Sequence, residues 1–130
     1  MNTIKSIYKS YIEVNKSKFY GFLMPLESVD EFKAKLKELE KEHSKAKHIV
    51  YAYKINEKTK SCDDQEPKGT AGRPLLELIL KKNLNHVVIF VVRYYGGTNL
   101  GAGRLLRTYL QTGVEAVNKA EIVEEWYGKL

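Results

Sequence analysis

Chemistry in this chain is concentrated in two glycine-rich stretches. The first is Asp63-Asp-Gln-Glu-Pro-Lys-Gly-Thr-Ala-Gly-Arg-Pro74. Asp63, Asp64 and Glu66 crowd three acids into four residues. Such a set can hold a hard cation such as magnesium, accept from backbone N–H groups, or pair with arginines. No regular ligand spacing accompanies them, so no metal is assigned. The second stretch is Arg93-Tyr-Tyr-Gly-Gly-Thr-Asn-Leu-Gly-Ala-Gly-Arg-Leu-Leu-Arg107. Gly96, Gly97, Gly101 and Gly103 loosen the backbone between a strand and a helix, an arrangement that offers N–H groups and a helix N-terminus to an anion. Arg93 enters this loop and Arg104 and Arg107 leave it, which suits phosphate. Tyr94 and Tyr95 supply flat faces for bases or for a partner peptide. The spacing matches neither the P-loop nor the dinucleotide fingerprint. A helix entry that needs glycines only for close packing is the competing reading.

Catalysis finds less support. Cys62 has acids as neighbours, which give a thiolate no help. His48 and His86 open strands, where structural histidines are common. No serine, histidine and acid order stands out. The chain is therefore read as a binding domain without catalytic residues or cofactor. Asp64, Glu66, Thr70, Gly72 and Arg73 would build one wall of the site; Arg93, Tyr94, Tyr95, Gly96, Gly97, Thr98, Gly101, Gly103, Arg104 and Arg107 would build the other. The alternative is a phosphate-handling enzyme with magnesium at the acidic loop, and it lacks a convincing base.

The elements that must position these loops follow from periodicity. Val87 to Val92 is an unbroken apolar run, as a central strand covered on both faces requires. Leu105, Leu106, Tyr109, Leu110, Val114 and Val117 then recur at helical spacing. Upstream, Ile4 to Val14 reads as an edge strand. Asn15-Lys16-Ser17 makes a turn, and Phe19 to Met24 pairs back as a hairpin. Ser28 and Glu31 form a capping box for an amphipathic helix reaching about Ser44. Its lysines and glutamates interleave, which describes a solvated face. His48 to Ile55 is a third strand, and Asn56 to Ser61 a polar turn. Pro74 falls in the first turn of a helix ending near Lys82, and Ala120 to Trp126 is a short terminal strand. The order is β-β-α-β-α-β-α-(β), an α/β domain.

The chain has 130 residues, the size of one domain, and 43% of them are hydrophobic, ordinary for a globular protein. Twenty-two Lys plus Arg against 16 Asp plus Glu leave a formal charge of +6. That surplus suits a polyanion such as RNA without requiring one. One cysteine excludes an internal disulfide. Met1 to Ser10 has no apolar core of a secretory signal, and no segment approaches the length of a membrane span, so a cytoplasmic protein with no membrane partner is expected.

Both loops resemble signatures of the IMPACT family, whose bacterial members are called YigZ-type. The first is similar to Asp-Asp-Gly-Glu-Pro-x-Gly-Thr-Ala-Gly-x-Pro. The second, through Tyr109, is similar to Arg-Tyr-Phe-Gly-Gly-x-x-Leu-Gly-x-Gly-Gly-Leu-x-Arg-Ala-Tyr. Ser17-Lys-Phe19, His43, His48 and Tyr51-Ala-Tyr53 also fall where family members have like residues. The resemblance spans roughly Ser17 to Val117. It implies a ribosomal-protein-S5-domain-2-like fold, a sheet with helices on one face. It also implies a link to translation or its regulation, with RNA, the ribosome or a translation-associated protein as partner. Bacterial members usually carry a second, ferredoxin-like domain, so the expectation here is the first domain alone. Two positions depart from the pattern: Gln65 and Arg104 each stand where glycine is usual.

Overall fold

The computed structural model describes residues 1–124. A five-stranded, wholly antiparallel sheet runs in the order β2-β3-β6-β4-β5, with β2 Tyr8–Val14, β3 Ser17–Pro25, β4 His48–Ile55, β5 Lys58–Cys62 and β6 Val87–Tyr94. Three helices pack against it: α1 Val29–Glu42, α2 Gly72–Lys81 and α3 Ala102–Lys119. A two-stranded ribbon joins β1 Asn2–Thr3 to β7 Val123–Glu124. The expected terminal strand is represented by β7; Glu125 and Trp126 lie outside the described residues.

β6 occupies the middle of the sheet, and its apolar run has the cause inferred from sequence: both faces are covered. Alternate side chains point to opposite faces. Val87, Ile89 and Val91 join Leu75, Leu78, Leu105 and Tyr109 of α2 and α3 in one core cluster. Val88 and Phe90 join Phe32 and Leu39 of α1, with Tyr51 and Tyr53 of β4, in another. The mixed α/β class stands, but the helices do not all share a face. α2 and α3 lie on one side and α1 lies on the other. The physical reason is β6 itself, whose Phe90 and Val88 would be left in water without α1.

Local signals set several boundaries. The Ser28 hydroxyl accepts from the Glu31 N–H at 3.1 Å, the cap expected of α1. The return bond lands one residue earlier than in a standard capping box: the Glu31 carboxylate accepts from the Glu27 N–H at 2.7 Å. Helix α1 stops at Glu42, where the next N–H, that of His43, still reaches the Leu39 carbonyl. Asn15 and Lys16 take φ of 48° and 69°, so the β2–β3 hairpin turns in two left-handed residues. β5 was not visible in sequence, where Asn56 to Ser61 reads as a turn. Only Asn56 and Glu57 turn; Lys58 to Ser61 are exposed in an edge strand, and an edge wetted on both sides shows no apolar alternation.

Helix α3 comes so close to β3 that one position tolerates no side chain. A Cβ on Gly21 would lie 2.3 Å from the Ser10 hydroxyl oxygen and 2.8 Å from the Thr112 methyl. That hydroxyl donates to the Thr112 carbonyl at 2.7 Å, pinning β2 to α3 at the same spot. Gly21→Ala is expected to destabilise the domain by about 1–3 kcal/mol through overpacking. It should appear as a lower urea midpoint with an unchanged m value.

Candidate functional site

The pairing of three strands builds the centre of the site. Arg93 in β6 stands opposite Phe19 of β3 on one side and His48 of β4 on the other. All three point to the face covered by α2 and α3, at the end of the sheet where both glycine-rich loops emerge. Arg93 is only 4% exposed, and a guanidinium taken that far from water must be paired. Glu66, 7% exposed, provides the pair: Nη1 donates to Oε2 at 2.7 Å. The Tyr109 hydroxyl of α3 donates to the same oxygen. His48 Nδ1 donates to the Asp64 carbonyl at 2.6 Å, leaving Nε2 3.5 Å from Glu66 Oε1. Arg93 Nη2 donates to the Ser17 hydroxyl at 3.3 Å, and the same hydroxyl accepts from the Gly96 N–H at 3.1 Å. The guanidinium lies 5.4 Å from the Phe19 ring centroid and 5.8 Å from that of Tyr95.

Arg93 is thus turned inward. The sequence placed it as a phosphate contact; the structure uses it to lock the two loops to the sheet. Gly96 takes part in that lock, since a Cβ there would sit 2.2 Å from the Lys16 carbonyl carbon of the hairpin turn.

The acidic loop is held by its own backbone. Asp63 accepts from the N–H groups of Gly69, Ala71 and Gly72 at 2.9, 3.2 and 2.8 Å, which ties the loop to the start of α2, where Ala71 has no side-chain cap. Asp64 accepts from the Ile49 N–H at 2.7 Å. Of the roles the sequence allowed these acids, acceptance of internal hydrogen bonds and an arginine pair are the ones seen. Among the described residues no group of three or more His, Cys, Asp or Glu is placed to hold a metal ion. Gln65 has φ of 70°, a backbone conformation that favours glycine. Thr70 donates from its hydroxyl to the Pro67 carbonyl at 2.6 Å, and Gly72 packs on the Cys62 backbone. Arg73 is exposed and pairs with Glu77 on α2 at 3.3 Å, away from the arginines of the other loop.

Outside this buried lock lies an open rim. Gly97, Thr98, Gly101, Gly103, Arg104 and Arg107 are exposed. Gly101 begins α3 with φ of 83° and no side chain caps the helix. Arg104 falls in the first helical turn with its side chain in solvent. A cleft of about 370 Å³ lies under the rim, between Lys47, His48, Glu66 and Arg93 on one side and Tyr95, Asn99, Gly101 and Leu105 on the other. Tyr94 is not in it. It points to the opposite face of the sheet, where its hydroxyl lies 2.6 Å from His43 Nδ1. Sequence reasoning set His48 aside and read Tyr109 only as a helix-core residue. Their membership depends on strand pairing and helix placement, which no local spacing reports.

The chain matches the Impact N-terminal domain over residues 15–117 and belongs to that family. It is 37% identical over 125 residues to the IMPACT family member YvyE of Bacillus subtilis (strain 168), covering 94% of this chain and 58% of that protein. A crystal structure of a hypothetical protein superposes with a TM-score of 0.89 at 28% identity, over 94% of this chain and 62% of the other. The two-domain translational regulator Yih1 superposes with a TM-score of 0.55 at 25% identity, over 88% and 47%. The chain therefore spans less than two thirds of each of these proteins. No helix among the described residues is long and apolar enough to cross a membrane.

Two outcomes follow from the lock. Glu66→Ala leaves the Arg93 charge buried and unpaired and is expected to cost ~3–5 kcal/mol of stability. The double change Arg93→Met with Glu66→Leu removes both charges and should cost distinctly less, as read by urea denaturation. The second concerns alkali. Burial first, then the hydrogen bond to Glu66 and its charge, raise the Tyr109 pKa well above its ordinary 10.0, with Arg93 opposing. The folded state keeps a proton that the unfolded chain releases. This contribution is complete below pH 10.0 and declines as pH rises further, by up to about 1.4 kcal/mol per pH unit. Unfolding free energies measured across that range should fall less steeply for Tyr109→Phe.

Proposed function

We propose that this domain is a non-catalytic binding module in translational control and that it binds RNA at the rim formed by the second glycine-rich loop and the start of α3. The observation that carries this reading is the division of charge. Asp63, Asp64 and Glu66 are all committed inward, to N–H groups, an arginine and a tyrosine. Arg104 and Arg107 are exposed one turn apart beside the uncapped N-terminus of α3. The rim therefore offers helix N–H groups and two arginines that form no ion pair among the described residues, and phosphate satisfies both. The translational regulator among its structural neighbours supports the setting. The magnesium enzyme loses support because its carboxylates have other partners.

A protein partner is the second reading. It is favoured by an apolar groove of about 350 Å³ between α2 and α3, lined by Pro74, Leu78, Leu106, Leu110 and Val114. Leu106 and Leu80 are exposed on these two helices.

A salt titration of binding to short single-stranded and hairpin RNAs tests the RNA reading. Arg104→Ala with Arg107→Ala removes two cations and should flatten the plot of log affinity against log salt by about 1.4, the expectation for two single-strand phosphates. No binding at low salt, or an unchanged slope in the double variant, would overturn it and direct attention to the α2–α3 groove.

A further inference from the structure

Helix α1 covers only half of its face of the sheet. Phe32 and Leu39 pack on Tyr51, Tyr53 and Phe90, which belong to β4 and β6. Met24 and Phe22 of β3 also pack into this cluster, but the Tyr11 and Tyr20 end of β2 and β3 lies beyond it, and apart from Glu13 the side chains that point out there are aromatic or basic. Tyr11 and Tyr20 are cross-strand partners with ring centroids 4.9 Å apart. Tyr94 of β6 continues the row, 5.8 Å from Tyr20 and edge-on to it. Tyr11 is 46% exposed, and Tyr20 and Tyr94 are half-buried. At the far end His43, at the foot of α1, holds the Tyr94 hydroxyl at 2.6 Å.

The charge at this row is positive. Lys16 and Lys18 line a depression of about 500 Å³ together with Tyr20, His43, Tyr94 and Tyr95, and no acid among the described residues lines it. Lys9 lies on the other flank, its ammonium 5.9 Å from the Phe22 ring. The acid in the row itself, Glu13, stands opposite Lys18 and accepts from the Tyr11 hydroxyl at 2.9 Å. A row of rings on an open sheet, flanked by exposed lysines, has the chemistry of a platform on which unstacked bases lie while the backbone meets the cations. A double helix keeps its base faces hidden and cannot use the rings. Tyr95 joins the two regions, since it lines both this depression and the cleft under the glycine-loop rim.

We propose that the uncovered β2–β3 half of the sheet, with Tyr11, Tyr20 and Tyr94, is a stacking platform for the unpaired bases of single-stranded RNA. This rests on the RNA reading above and adds what that reading lacks, the discrimination of single strands from duplex. A chain held by phosphates at the rim passes Tyr95 and lays its bases on the sheet.

Fluorescence anisotropy with three probes tests it on the full chain: a 12-residue oligouridylate, an abasic phosphate oligomer of the same length, and an RNA hairpin with a fully paired stem. Oligouridylate should bind more tightly than the abasic oligomer or the hairpin. Tyr11→Ala, on the exposed ring, should weaken oligouridylate about tenfold and leave the abasic oligomer unchanged. Tyr20→Leu should do the same, with its melting curve checked against the natural protein. Lys16→Gln with Lys18→Gln should reduce the salt slope for both oligomers. Equal binding of oligouridylate and abasic oligomer, with neither tyrosine change having an effect, overturns the platform; if Arg104→Ala with Arg107→Ala still flattens the salt slope, the rim reading survives alone. No RNA binding at low salt overturns both.

Discussion

The buried pair of Arg93 and Glu66 is the constraint on which the rest of this site depends. A charged side chain far from water is tolerated only where its partners are already in place. Arg93 sits at the end of the central strand, and its partner comes from a loop that has crossed from the edge of the sheet. The pair can form only if β3, β4 and β6 are in register, α3 brings Tyr109 beneath the loop, and the hairpin turn puts Ser17 within reach. Both glycine-rich loops, far apart in sequence, are thereby fixed to one another.

Because the lock consumes the acids, the surface above it is left basic. The loops use their chemistry in two layers. The inner layer of Asp63, Asp64, Glu66 and Arg93 satisfies backbone groups and itself. The outer layer of Arg104, Arg107 and the first turn of α3 is exposed to solvent. This buried polar network holds the loops in place, with only the Arg93 Nε left without a partner among the described residues, and a rigid scaffold for exposed groups lowers the ordering cost of binding.

The sheet divides its two faces unequally. α2 and α3 cover one face across β2, β3, β4 and β6, and Gly21 lets α3 approach closely. α1 alone serves the other face, and a single helix of 14 residues cannot cover five strands. The uncovered part carries tyrosines, whose rings rest on the sheet, and exposed lysines, whose ammonium groups stay wet. The two helical faces and the bare half-face follow from helix number as much as from residue type.

Much of this was legible in the chain. The central strand announced itself because burial on both faces demands an unbroken apolar run, and β4 was found at its observed bounds for a similar reason. The Ser28 cap and the helical repeats of α1 and α3 are local signals and were read locally. β5 escaped because an exposed edge strand leaves no apolar period. The side of the sheet taken by α1 escaped because a helix's apolar stripe says that it packs, not where. The sequence by itself determined which residues make strands and helices and which two loops hold the chemistry, since these depend on neighbours a few residues apart. Only the tertiary structure decided that Arg93 faces inward, that Glu66 is its partner, and that Tyr94 stands outside the cleft that Tyr95 lines. Those outcomes depend on strand register and on the cost of burying an unpaired charge, which are set by residues distant in the chain.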